Sequence, residues 1–550
     1  MEKGERRWVI LFAGVVMLFT TVPYLVGYAS QGNDWRFTGF VFGVEDGNSY
    51  IAKMLSGAAG ACLFRTPYTA FPQRGQPMFL PYLWLGKLAS PPAEHDQLVA
   101  LFHLYRIAAG VLVTLAAYEF ISLFLRKVRL RRWGLVLITL GGGLGWFLIL
   151  IGRSNLTASL PLEMYSPESF GFLELYGLPH LALARAAMFW GLATYLKPYV
   201  ASQGLEHGLV EPWAPRAIRL GVAGLVAFLA QPLTAALMWV VIGLHQAILL
   251  AGRLFHGQFG TMLRNTRIIG QIRVPVVAGL VSLPLAVYSA AMLAGDPFMK
   301  SWAAQNVILS PAPLQYLVAY GLILPLVVWG AVRLLRIAPA AGWLPAAWLI
   351  AVPALVYAPI NIQRRLAEGV WVVMVTLALI PWEYASVRGA PRIRFGVFQV
   401  ASLLVFPSTL MLLAGGIFVS LAPSQPIFQP AEQVSAYEYL AHHAPVGSVV
   451  LASFDTSNAL PAWAPVRVLI GHGPESMNLS ILRPRVEAFY QSTTSDSSRV
   501  RLLREFGVDY VVWGEQEAAL GSWDPQNATY LKLTYRSGDC EVFAVDLKGG

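Results

Sequence analysis

Glu45 and Asp46 are neighbouring carboxylates in the stretch Val44-Glu45-Asp46-Gly47-Asn48-Ser49-Tyr50, where the surrounding residues are mostly apolar or small. One carboxylate beside a low-dielectric surface can serve as a general base, and two can hold a divalent cation whose charge offsets that of a phosphate. The pair also fits a plain helix N-terminus, where acidic side chains favour the helix dipole and Asp46 caps the segment carrying Tyr50 and Met54. Arg364 and Arg365 lie in the short polar link 361–369 between two apolar stretches. Two adjacent guanidinium groups offer fork-shaped donors and permanent charge to a phosphate or pyrophosphate, although arginines at span ends also bind bulk lipid headgroups. Arg106, in His103-Leu104-Tyr105-Arg106, and Arg185, which follows Pro179-His180, are charges inside apolar stretches, where such groups are paired or functional. Each could reach an anionic headgroup, snorkel, or pair with Glu45, Glu163 or Glu174. Glu119 and Glu383 sit close to basic loops and read as structural ion pairs.

The elements that must position these residues follow from composition. Of 550 residues, 56% are hydrophobic and 13% charged, and the mean hydropathy is +0.55. That balance excludes a disordered chain and an ordinary soluble enzyme. The apolar runs recur along the first 420 residues, so a single signal peptide or anchor does not account for them. A helix needs about 20 apolar residues to cross the hydrocarbon. About eleven spans are expected, near 8–28, 98–125, 133–151, 175–196, 217–231, 233–252, 274–294, 314–332, 341–359, 370–387 and 395–421. The weakest division is Gln231-Pro232, where a break makes two spans of one kinked one. The net charge of +10 does not call for nucleic acid, because basic residues flanking spans explain it. Two cysteines exclude a disulfide scaffold.

Basic residues also set orientation. Lys3 with Arg6 and Arg7, the run Arg126 to Arg132, Lys197 with Arg216 and Arg219, Arg253 with Arg264, Arg267 and Arg273, Arg333 with Arg336, and Arg388 with Arg392 and Arg394 fall on one side, so the N-terminus is expected in the cytoplasm. An odd number of crossings then places the C-terminus outside. Residues 1–424 are expected to form the membrane domain, with a large outer loop at 29–97. Within that loop the apolar piece 78–89 is too short to span and is expected on or partly in the membrane. Residues 425–550 are expected to form a small extracytoplasmic α/β domain. Its strands are expected at 449–453, 466–471, 509–514 and twice near 530–545, and its helices at 431–442 and 497–506.

Other patterns carry less. Gly141-Gly142-Gly143-Leu144-Gly145 lies in an apolar span and reads as a helix-packing surface, not a nucleotide loop. The nine histidines show no metal-ligand spacing. Sequons at Asn155, Asn478 and Asn527 fall outside in this topology and matter only in a host that glycosylates them.

The arrangement resembles the GT-C superfamily of polytopic membrane glycosyltransferases. The resemblance rests on the long first outer loop bearing Glu45-Asp46, the number of spans, the interfacial arginines and the C-terminal outer domain. Within the superfamily it is most similar to large bacterial membrane proteins. These carry an acidic-Asn-Tyr element in loop one, here ending at Tyr50, a span-entry His/Arg element (His103 to Arg106) and a Pro-His element (Pro179-His180). They also share a Gln-Arg-Arg-Leu-x-Glu-Gly turn (363–369) and a Gly-His-x-x-Glu element (Gly471 to Glu475). The match covers nearly the whole chain, while each motif alone is short.

The resemblance implies a hexosyl or pentosyl transferase of the bacterial plasma membrane that moves a sugar from a polyprenyl-phosphate donor to an extracytoplasmic glycan, lipid or protein acceptor. It implies Asp46 as base, with Glu45 as alternate or orienting partner, and a single displacement that inverts the anomeric carbon. Arg364 and Arg365, with Arg106, Arg185, His180 and Tyr50 as further candidates, would contact the donor phosphate or substrate. A divalent cation such as Mg or Mn is compatible, with Glu45 and Asp46 its candidate ligands, but nothing in the sequence requires one. Many relatives carry two aspartates or Asp-Glu where this chain has Glu45-Asp46, so the assignment of base and ligand stays open. His472 and Glu475 fit either an acceptor-side role or plain turn chemistry. The competing functions are a flippase for lipid-linked glycans, which needs the arginines but no base, and a non-catalytic envelope assembly factor.

Overall fold

The computed structural model describes residues 2–155, 159–204, 211–255, 266–385 and 394–547. Arg264, Arg388 and Arg392 of the basic loops lie outside the described residues, as do Leu156 and Thr157 of the Asn155 sequon.

Each of the eleven expected spans coincides with helix, because in hydrocarbon the backbone N–H and C=O groups must satisfy one another. Seven helices among the described residues are long and apolar enough to cross a bilayer: Lys3–Ser30, His95–Ser122, Trp213–Ala230, Pro232–Phe255, Ile269–Gly295, Gln363–Glu383 and Phe395–Leu421. An eighth forms if Pro313–Tyr320 and Leu324–Ile337, bent by 80°, count as one. The chain is thus a multi-pass membrane protein. Gln231 is extended (φ −155°, ψ 101°) between two separate helices, since Pro232 has no N–H to continue the ladder.

The other three expected spans are helical but short or interrupted. One is the 17-residue Pro339–Leu355, and another divides into Phe172–Gly177 and Pro179–Ser202. The third breaks at the glycine run, which is therefore not the packing surface expected of it. Helix Val128–Leu140 stops at extended Gly141, and Gly142 N–H donates to the Val405 carbonyl at 2.6 Å. A Cβ on Gly143 would stand 2.7 Å from the Ala319 Cα and 2.9 Å from both Glu163 carboxylate oxygens, so glycine lets the two backbones pass that close.

Packing divides the chain into two compact units. The first comprises Met1–Thr21, Arg106–Ala291 and Ile308–Gly415; the second comprises Val22–Tyr105, Met292–Val307 and Gly416–Gly550. The expected outer loop and the expected tail therefore both fall in the second unit.

In the second unit β1 (Trp35–Phe37) pairs antiparallel with β2 (Phe428–Pro430), Trp35 opposite Pro430. The remaining strands are β3 (Val449–Leu451), β4 (Arg467–Val468), β5 (Tyr510–Trp513), β6 (Leu531–Ser537) and β7 (Cys540–Val545). They form one sheet in the order β4-β3-β5-β7-β6, with β3, β4 and β5 parallel and β7 antiparallel to its neighbours. The period-2 alternation of a strand splits its residues between two cores. Val450, Val512 and Val542 enter one core together with Tyr68 and Ala52, while Leu451, Val511 and Phe543 enter the other with Tyr490 and Leu503. The apolar piece 78–89 forms helix Leu80–Gly86, whose Tyr82 and Leu83 are buried. It lies backbone against backbone on helix Val44–Ala58: a Cβ on Gly57 would collide with the Leu83 carbonyl, and one on Gly86 with the Met54 carbonyl.

Candidate active site

Helix Val44–Ala58 begins at Gly43, which adopts a left-handed conformation (φ 59°) and supplies no side-chain cap. The acids in its first turn look elsewhere. Helical spacing sets Glu45, Ser49 and Lys53 along one face, with Asp46 and Asn48 beside it. Opposite them stands the segment after β4, Gly471 to Ser476, at the carboxyl end of a parallel strand, where open α/β sheets carry their ligand sites. His472 Nε2 meets Asp46 Oδ1 at 3.2 Å, and Gly473 N–H donates to Glu45 Oε1 at 2.8 Å. Asn48 Nδ2 donates to Asn458 Oδ1 at 2.8 Å.

Glu475 is buried and receives three donors: Lys53 Nζ at 2.5 Å, Ser49 Oγ at 2.8 Å and Thr66 Oγ1 at 2.6 Å. The Lys53 ammonium is equally buried and lies over the Phe79 ring at 4.4 Å, a favourable face for a cation. Burial would raise the Glu475 pKa, but Lys53, His472 and the Thr66 hydroxyl hold it below the ordinary carboxylate value. Burial would likewise lower that of His472, yet the hydrogen bond to Asp46 and the charges of Glu475 and Asp46 raise it above the imidazole value of 6.5. His472 Nδ1 is 3.9 Å from Glu475 Oε1. The result is a line of groups, Asp46, His472, Glu475 and Lys53, buried at one end and open at the other: the His472 side chain is 7% exposed and that of Asp46 58%. A carboxylate held by an imidazole and facing solvent can accept a proton from an incoming hydroxyl.

Because the His472 pKa is raised on folding, its stabilisation is complete below 6.5 and is lost as pH rises through the folded value. The melting-temperature advantage of wild type over His472→Gln is therefore expected to shrink as pH rises above 6.5; a constant difference in a pH series of thermal melts would contradict the pairing.

Tyr50, a candidate substrate contact, is buried, with its ring stacked on Tyr82 at 4.7 Å. The acids are legible as a site from sequence, whereas Lys53 is not singled out by it. Its signal is the spacing of four from Ser49 and eight from Glu45. Thr66 and Asn458 gave none. Among the described residues no group of three or more His, Cys, Asp or Glu is arranged to hold a metal ion. Glu45 Oε1 accepts from Gly473 N–H and Asp46 Oδ1 meets His472, so each acid already has one oxygen engaged by the protein.

In the first unit Arg364 and Arg365 occupy the tight turn Gln363–Ala367. Gly369 follows at φ 73°, where a Cβ would stand 2.7 Å from Met188 Cε, and starts helix Val370–Glu383. The Arg364 guanidinium lies 4.7 Å from the Tyr165 ring centre, and Arg365 Nε is 3.5 Å from Glu168. The Nε atoms of both have no hydrogen-bond partner. Arg185, in contrast, is buried and directs its donors inward, to Glu368, to Glu174 at 2.8 Å and to the Pro167 carbonyl at 2.8 Å. Arg106 is fully buried and donates to Thr20, Thr21 and the Leu175 carbonyl. His180 is buried at the start of helix Pro179–Ser202. Glu119 pairs with Lys197 at 2.8 Å, and Glu383 accepts the Lys127 N–H at 3.0 Å.

The bundle of apolar helices with a C-terminal α/β sheet is the fold of the GT-C polytopic membrane glycosyltransferases. The apo oligosaccharyltransferase of Archaeoglobus fulgidus superposes with a TM-score of 0.56 at 13% identity, over 97% of this chain and 73% of that one. The same enzyme tethered to an acceptor peptide containing an NVT sequon gives 0.52 at 15% identity, over 90% and 68%. The mycobacterial arabinofuranosyltransferase AftD gives 0.53 at 14% identity, over 98% of this chain and 42% of that one. At such identity the likeness is one of fold. No protein-family model matches the chain, and no curated protein matches its sequence.

Proposed function

We propose that this chain is a membrane glycosyltransferase that moves a sugar from a polyprenyl-phosphate donor to an extracytoplasmic acceptor, with inversion at the anomeric carbon. The observation that carries the reading is the solvent-facing Asp46 carboxylate held by buried His472; the GT-C-like fold supports it. Asp46 takes the proton of the acceptor hydroxyl as that oxygen bonds to the anomeric carbon. The bond from that carbon to the phosphate oxygen breaks, and the lipid phosphate leaves with the electron pair. Arg364 and Arg365 are the proposed stabilisers of its charge, because preorganised donors act where charge develops. Arg185 and Arg106 are proposed to position the elements around them, and His180 and Tyr50 to shape the substrate pocket. The acceptor is a glycan, lipid or protein. The N-terminus is assigned to the cytoplasm of a bacterial cell and the C-terminal α/β region to the outer face.

The test is reconstitution with a polyprenyl-phosphate sugar and candidate acceptors, with the product's anomeric configuration read by NMR. Inversion is expected. Retention, or movement of the lipid-linked sugar across the vesicle without chemical change, would refute the reading. Replacing Arg364 or Arg365 by Ala is expected to slow transfer by roughly 10²-fold, the usual cost of one lost donor to a developing anion, as measured by initial rates at saturating acceptor.

A further inference from the structure

Glu174 is a carboxylate that the transfer chemistry does not use. It is 2% exposed, and its Oε1 accepts from Arg185 at 2.8 Å while its buried Oε2 has no hydrogen-bond partner. The charged groups that act on it are Arg185, Glu368 and Glu168, and Arg365 acts in turn on Glu368 and Glu168. Arg185 is also paired with Glu368, and Arg365 faces Glu168 at 3.5 Å. Two guanidinium groups, of which Arg365 is 28% exposed, thus oppose three buried carboxyl groups, and an uncompensated buried charge is far more costly than a neutral acid. Glu174 and Arg185 line a cavity of about 20 Å³ together with Thr114 and Thr139. A single water needs roughly 10–15 Å³ by this measure and two to four polar partners. Both threonine hydroxyls donate to backbone carbonyls of their own helices, Thr114 to Gly110 and Thr139 to Leu135, each at 2.7 Å, which leaves oxygen lone pairs for the hydrogens of a water. Arg185 spends its donors on Glu368, Glu174 and the carbonyls of Phe170, Pro167 and Glu168, so a donor to the water on this side falls to Glu174.

We infer that Glu174 is a proton-binding site: it carries an exchangeable proton on Oε2 at neutral pH and donates it to one water in this cavity. The proton brings the cluster to two positive and two negative charges, and Oε1 of the neutral acid still accepts from Arg185.

The test uses the full-length protein in lipid nanodiscs, comparing infrared spectra of wild type and Glu174→Gln at neutral pH in H2O and D2O. Wild type is expected to show a protonated-carboxyl C=O band, shifted by deuteration, that the variant lacks. Glu163, another buried carboxyl with an unpartnered oxygen, contributes equally to both spectra and cancels in the difference. The amide is an isostere of the neutral acid, so Glu174→Gln is expected to melt with wild type, whereas Glu368→Gln, which removes the counter-charge of Arg185, melts lower. Absence of the difference band overturns the inference. So does a Glu174→Gln protein that fails to fold or melts as low as Glu368→Gln, since either result means Glu174 is ionised.

Discussion

Replacing Asp46 by Asn is expected to cut glycosyl transfer by roughly 10²–10⁴-fold, the usual contribution of a positioned general base, with expression and melting temperature close to wild type. The amide keeps the shape of the carboxylate and can still meet His472 but cannot take a proton. Asp46 is more than half exposed, so its replacement leaves no buried charge behind. Initial rates on a synthetic polyprenyl-phosphate sugar decide the matter, and wild-type turnover in the variant removes Asp46 as base. Glu45→Gln provides the contrast. Its Oε1 contact with Gly473 N–H survives as an amide oxygen, so a smaller rate loss is expected.

Lys53→Met is expected to destabilise the protein by roughly 3–5 kcal/mol, because breaking one member of a buried ion pair strands the other. Glu475 would then sit buried with only hydroxyl and imidazole partners. Protonating Glu475 relieves the stranded charge, so the deficit is expected to shrink as pH falls. The double variant Lys53→Met/Glu475→Gln, which is neutral at both positions, should recover much of the loss. Thermal melts of wild type, Lys53→Met, Glu475→Gln and the double variant form a double-mutant cycle; a Lys53→Met protein that melts with wild type would mean the pair does not hold this region together.

The helices were legible because the hydrocarbon imposes one requirement, internal hydrogen bonding, on every span, and composition reports it directly. Interruptions were legible where a proline removed a donor, as at Pro232. They were not legible at Gly141 to Gly145, where Gly142 N–H meets the Val405 carbonyl and Gly145 N–H the Glu163 carboxylate, partners outside the run itself. The strands of the α/β region showed through their alternation, but their order did not, because pairing depends on contacts between segments far apart in sequence. The acids 45 and 46 drew attention as a pair. Their partnership with His472 and Gly473 spans more than 400 residues, and no local pattern encodes such a meeting. Arg185 and Arg365 both entered as candidate phosphate contacts, yet Arg185 spends its donors inside the protein, whereas Arg365 Nε makes no hydrogen bond and lies 3.5 Å from Glu168.

Lys53 and Glu475 stand 422 residues apart. The ribosome therefore delivers the carboxylate helix long before it delivers the anion that neutralises that helix's buried lysine. Throughout that interval Asp46 has no imidazole at its side and Lys53 has no carboxylate to pair with. A product truncated before residue 472 would lack both partners and would carry a buried lysine with no carboxylate to meet it.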